Sequence, residues 1–133
     1  MSVFLDTGFI LALANDTDQY HKTALKLSEL MENNEFGSVF TSDYVFDEAV
    51  TLAMVRKNHL KAVEIGDFLL DSKIEILAIS QTNFDNAWKL FKERKNLSFT
   101  DCTIIKIMDE NNIKNLATFD KEFKQFKNIN VLM

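Results

Sequence analysis

The apolar positions of this chain fall into two kinds of run. Short stretches such as SVFL (2–5) and IEILAI (74–79) have the β-branched and aromatic content of buried strands. Longer stretches repeat apolar residues at three- and four-residue intervals, as one face of a helix does. The pattern predicts a strand over 2–5, a short helix over 7–14, and a helix from about Gln19 to Asn34. Tyr20, Ala24, Leu27, Leu30 and Met31 form the inner face of that second helix. SVFTS (38–42) reads as a strand, and 43–57 and 59–71 read as two helices that break at Lys57-Asn58. The strand at 74–79 leads to a helix whose predicted buried stripe is Phe84, Ala87, Trp88 and Phe91. A further helix covers 99–111, with Ile104, Ile105, Ile107 and Met108 inward. NLATF (115–119) and NINVLM (128–133) are the last strands, with a short helical DKEFKQF between them. Strands alternating with amphipathic helices predict an α/β fold, a central parallel sheet flanked by helices on both faces. Right-handed crossovers align the strand carboxyl ends along one edge, and ligands of such sheets bind there.

Composition narrows this picture only slightly. The 133 residues, 47% apolar and 26% charged, read as one domain spanning 1–133, and the absence of Pro favours regular elements. No apolar run approaches the roughly 20 residues that cross a bilayer. MSVFLD lacks the basic start and small-residue cleavage site of a leader, and the single Cys102 excludes an intrachain disulfide. The expectation is a cytoplasmic protein. A net charge of −5 argues against a general nucleic-acid coat, but the charge is uneven. Residues 1–85 hold 6 Lys/Arg and 14 Asp/Glu, whereas 86–133 hold 9 and 6, a local excess of +3. Lys89, Lys92, Arg94 and Lys95 lie just before the 99–111 helix and are candidate phosphate contacts, with Lys121 and Lys124 the alternative.

Four acids carry the candidate chemistry. Asp6 follows the first strand directly and Asp120 follows NLATF directly, so both fall at the carboxyl edge, where each also suits a helix cap. Asp101 lies in SFTDCTII, where Ser98 and Asp101 have capping-box spacing; cap and ligand both account for it. Glu48 sits on a helix face with Val45, Ala49 and Leu52, a costly place for an unpaired charge. Asp47 on the adjoining face is its rival. Carboxylates converging at one edge repel and raise each other's pKa, a penalty that a divalent cation removes. All-oxygen donors favour Mg²⁺ or Mn²⁺. His21 and His59 have no zinc-ligand spacing. A hard-ion site without a glycine-rich phosphate loop points to phosphodiester hydrolysis, with a metal-activated water as nucleophile.

VFLDTGFILAL, FDEAV, SFTDCTIIKIM and LATFDKEF, in this order across the chain, resemble the PIN domain family, and within it the stand-alone VapC-type ribonuclease toxins of type II toxin–antitoxin modules. The resemblance implies strand order 3-2-1-4-5 and assigns the catalytic acids to Asp6, Glu48, Asp101 and Asp120. It makes Asp6 and Asp101 the direct metal ligands, with Thr7, Ser98 and Thr118 in support. Gly8 departs from the Ser or Asn common in the family. The function implied is a Mg²⁺-dependent endoribonuclease toxin acting on RNA, with a separately encoded antitoxin and a homodimer formed through helices of the 19–71 region. The alternatives are a nuclease that processes ribosomal or other structured RNA and a catalytically silent PIN-like binding module. A phosphoacceptor domain would have adjacent acids after the first strand, where this chain has Thr7-Gly8. A hydrolase with an Asp nucleophile would have an acid at position 8.

Overall fold

In the computed structural model, which describes residues 1–133, the core is built outward from β1 (Ser2–Leu5). Val3, Phe4 and Leu5 are all buried, as a strand covered on both faces requires. The elements that follow are α1 (Thr7–Ala14), α2 (His21–Glu32), β2 (Ser38–Ser42), α3 (Asp43–Arg56), α4 (His59–Asp71) and β3 (Glu75–Leu77). Then come α5 (Gln81–Glu93), α6 (Phe99–Glu110), β4 (Asn115–Ala117), a 3-10 turn over Lys121–Gln125 and β5 (Asn130–Leu132). All neighbouring strands are parallel, in the order β3-β2-β1-β4-β5, which is the predicted order. The helices pack as α1 with α2, α3 with α4 and α5 with α6, and α3 also touches α1 and α6.

One detail of register positions the site. Leu5 pairs with Ala117 across β1 and β4, and the Asp6 N–H continues the ladder to the Ala117 carbonyl at 3.2 Å. The residues after both strands, Asp6 and Thr118, therefore emerge side by side at the carboxyl edge.

Two predicted faces need correction. In α5 the inward residues are Asn83, Ala87 and Leu90, while Phe84, Trp88 and Phe91 are 40%, 49% and 36% exposed. α6 packs directly on α5, so the narrower Asn83, Ala87 and Leu90 take the inner position and the large rings move to the rim. There they gather around Phe99, with ring centroids 5.1 to 6.2 Å away. In α2 only Ala24 and Met31 are buried; Leu30 is exposed and Tyr20 precedes the helix. The strands read at 74–79 and 115–119 are also shorter, Glu75–Leu77 and Asn115–Ala117. β3 is an edge strand that pairs only with Phe40–Ser42, and β4 pairs with its neighbours only through Asn115–Ala117.

Candidate active site

Three of the four predicted acids cap helical segments. Asp6 caps α1, with Oδ1 accepting the Phe9 N–H at 2.8 Å. Its Oδ2 accepts a hydrogen bond from the Thr118 hydroxyl. Thr118 Oγ1 in turn accepts the Asp120 N–H at 3.0 Å, so one buried threonine joins the acids at the ends of β1 and β4. Asp101 forms a capping box at the start of α6: its Oδ2 accepts the Ser98 N–H, and Ser98 Oγ accepts the Asp101 N–H, both at 3.1 Å. Asp120 caps the 3-10 turn through the Glu122 N–H at 2.9 Å. Glu48, half-buried on α3, has no hydrogen-bond or ion-pair partner. Capping occupies one oxygen each of Asp101 and Asp120 and leaves the other free.

All four acids line one open pocket of about 350 Å³ at the carboxyl edge of the sheet. Asp47 does not line it; that side chain is exposed and accepts the Thr51 hydroxyl at 3.5 Å. Of the supporting residues, Thr7 lines the pocket, Thr118 lies buried behind Asp6, and Ser98 is exposed and acts through Asp101. Sequence reasoning missed Asp18, Tyr20, Arg56 and Phe119, which line the same pocket. A signal existed for Arg56: Glu48, Leu52 and Arg56 follow at four-residue steps on α3, and all three face the pocket. Asp18 and Tyr20 come from the α1–α2 connection; no pattern marks Asp18, and helical spacing places Tyr20 on the inner face of the second helix rather than at the pocket.

The crowding leaves an electrostatic signature. Burial pushes the Asp6 carboxyl up to about 7, with the Asp101 and Asp120 charges adding to the shift; the Thr118 and Phe9 hydrogen bonds oppose it. Asp101 is raised as well, first by burial and then by Asp120 and Glu48, against the Ser98 bonds. Cys102 is buried and pushed up to about 11, mainly by burial, so it stays a thiol and is no nucleophile at neutral pH.

This donor set fits a hard divalent cation. The donors are carboxylate oxygens whose neighbouring charges help raise the pKa of Asp6 and Asp101, and the Thr7 hydroxyl beside them is buried without a hydrogen-bond partner. No three acids close into a finished cage of ligands. Mg²⁺ does not require one, since it usually binds through one or two carboxylates and keeps several waters.

A family model described as the PIN domain matches residues 3–129. The 23S rRNA-specific endonuclease VapC20 of Mycobacterium tuberculosis is 29% identical over 123 residues, 91% of each chain. The crystal structure of Mycobacterium tuberculosis VapC20, a sarcin-ricin loop cleaving toxin, is similar with a TM-score of 0.83 and 29% identity, covering 92% of this chain and 93% of its own. A chain of the Rickettsia felis VapBC2 complex with promoter DNA shares the fold at a TM-score of 0.71 and 22% identity, covering 98% of this chain and 97% of its own. With a family model spanning almost all of its length and the parallel sheet order seen here, the chain belongs to the PIN domain family.

Proposed function

We propose that this chain is a Mg²⁺- or Mn²⁺-dependent endoribonuclease and the toxin of a toxin–antitoxin pair, with residues 1–133 acting as one nuclease domain. The observation that carries the reading is the gathering of Asp6, Glu48, Asp101 and Asp120 in one pocket. Asp6 and Asp101 would hold the ion, and Glu48 and Asp120 would hold a second ion or orient water. Such an ion supplies charge neutralisation at the phosphoryl group and lowers the pKa of water. The chain's own residues supply position. Thr118 fixes one oxygen of Asp6, Ser98 fixes Asp101, and the unpartnered Thr7 hydroxyl is available to a water or phosphate oxygen. A silent binding module would gain nothing from burying Asp6 among like charges, which favours the nuclease.

The 23S rRNA-specific endonuclease among the relatives supports ribosomal RNA as the substrate, and its being a toxin supports that role over processing of ribosomal or other structured RNA. Phosphate contacts would come from the basic C-terminal part, where Lys89, Lys92 and Lys95 are exposed. Arg94 is already engaged, hydrogen-bonded to Gln125 and lying 5.1 Å over the Phe126 ring. An antitoxin and a second copy each need an apolar surface, and two of the chain's exposed ones suit them. A groove between α3 and α4, lined by Phe46, Val50, Met54, Val63 and Leu70, suits an antitoxin segment. The aromatic ridge of Phe84, Trp88 and Phe91 on α5 suits a homodimer and is a second candidate surface beside the helices of the 19–71 region. Action on RNA implies a cytoplasmic site, and no helix is long and apolar enough to cross a membrane.

Expression of the chain in a bacterial host tests the reading. Growth arrest with RNA cleavage is expected, abolished by Asp101→Asn and relieved by co-expressing the adjacent small reading frame. Arrest without RNA cleavage would refute it.

A further inference from the structure

The acid pocket has a second wall that the acids do not explain. Tyr20 and Phe119 stand on it with their rings stacked, centroids 4.5 Å apart and planes within 5°. Phe119 continues the stack to Phe9, at 5.9 Å and 19°, and Phe9 is fully buried. The Tyr20 backbone is fixed too, its N–H held by the Asp18 carboxylate at 2.7 Å. A stack of rings therefore rises from the core to the pocket and ends in a tyrosine that is still 41% exposed. Arg56 also lines the pocket, and it is the one Lys or Arg that does. It faces five carboxylates, Asp6, Asp18, Glu48, Asp101 and Asp120, yet pairs with none; the chain's one ion pair is Lys61–Glu64.

We infer that this wall is a nucleotide subsite, in which the Tyr20 ring stacks on an unpaired base and Arg56 contacts a phosphate next to it. The inference rests on the ribonuclease reading. A pocket with five acids and one arginine repels a bare polyanion, so much of the hold on RNA must come from groups that charge does not oppose. A neutral base on a preorganised ring meets that need, and stacking tolerates any base. Bases inside an A-form duplex have both faces covered, so the subsite selects loops, bulges and single strands. Arg56 sits in the last turn of α3, where a cation also complements the helix dipole. Its test must therefore read phosphate contact and not stability.

Anisotropy of a labelled single-stranded oligoribonucleotide, and of the same strand in a perfect duplex, provides the measurement, with Ca²⁺ replacing Mg²⁺ to neutralise the acids. Tyr20→Leu keeps Phe119 covered but removes the π-face; it should weaken single-strand binding about tenfold or more and leave duplex binding unchanged. Tyr20→Phe should bind as wild type. Arg56→Gln should lower the slope of log affinity against log salt by about one contact, and Arg56→Lys should restore it. Wild-type affinity in Tyr20→Leu, or equal affinity for duplex and single strand, would overturn the subsite. KM and kcat in Mg²⁺ separate the two claims. Cleavage with KM unchanged in Tyr20→Leu removes the subsite and leaves the ribonuclease. The predicted binding pattern without cleavage leaves the subsite and removes the ribonuclease.

Discussion

At the scale of single residues the decisive group is Asp6, which caps α1, accepts the Thr118 hydroxyl and lies 5% exposed among other acids. Its ordinary value of 3.8 rises to about 7 on folding, so between those values the native state binds a proton that the unfolded chain has released. Stability of the metal-free protein then falls as pH rises from about 4 to 7, by on the order of 4 kcal/mol from this group. Urea unfolding in EDTA at pH 5 and pH 8 checks it: greater stability at pH 5 is expected, with most of the difference gone in Asp6→Asn. Thr118 tests the same carboxyl from the other side. Its hydrogen bond opposes the upward shift, so Thr118→Val should move the pH midpoint of Mg²⁺ binding upward, and Thr118→Ser should restore it. Calorimetric titration across pH measures that midpoint, and an unmoved midpoint in Thr118→Val would break the link. Asp6, Asp101 and Asp120 were legible because helix and strand ends are marked in sequence. Glu48 was legible because it interrupts an apolar face. Asp18 fits no pattern and Tyr20 fits the inner face of the second helix; only the path of the α1–α2 connection brings the two to the pocket.

At the scale of elements, the apolar pattern places helix starts within a few residues, and side-chain caps fix five of the six: Asp6, Ser42, Asn58, Ser80 and Ser98 each accept an N–H in the first turn. Faces were harder. α5 carries two apolar stripes at helical spacing, one of rings and one with Ala87 and Leu90, and periodicity cannot say which meets the core. Interhelical closeness decided it, which is a tertiary property. Strand ends were overread for a similar reason, since pairing partners set the length of β3 and β4. The α6 start links an element to the site. Ser98→Ala removes half of the capping box and frees the Asp101 backbone N–H, at a cost of about 1 kcal/mol. It should also lower kcat through a less fixed Asp101, whereas Ser98→Thr should keep both stability and rate. Thermal melts with steady-state kinetics report the two effects, and a stability loss with no change in kcat would reduce Ser98 to a cap alone.

At the scale of the whole molecule, the strand order gives the chain one functional edge, with β1 and β4 adjacent at its centre and α3 and α6 delivering Glu48 and Asp101. The same arrangement leaves the α5 rings outside the core, a contiguous aromatic surface of the kind that marks association. Sedimentation equilibrium at micromolar concentration should show a dimer for the wild type and a monomer for Trp88→Ala, with the fold retained. A monomeric wild type would remove the ridge from consideration as a dimer surface. The acids themselves are the larger matter, since they oppose the fold unless a cation joins them. Cleavage of ribosomal RNA by the purified chain, in Mg²⁺ and in EDTA, beside Asp6→Asn and Asp101→Asn, tests that claim most directly. Cutting by the wild type in Mg²⁺ is expected, with none in EDTA and none by either variant even though both remain folded. Undiminished cutting in EDTA, or by either variant, would contradict it.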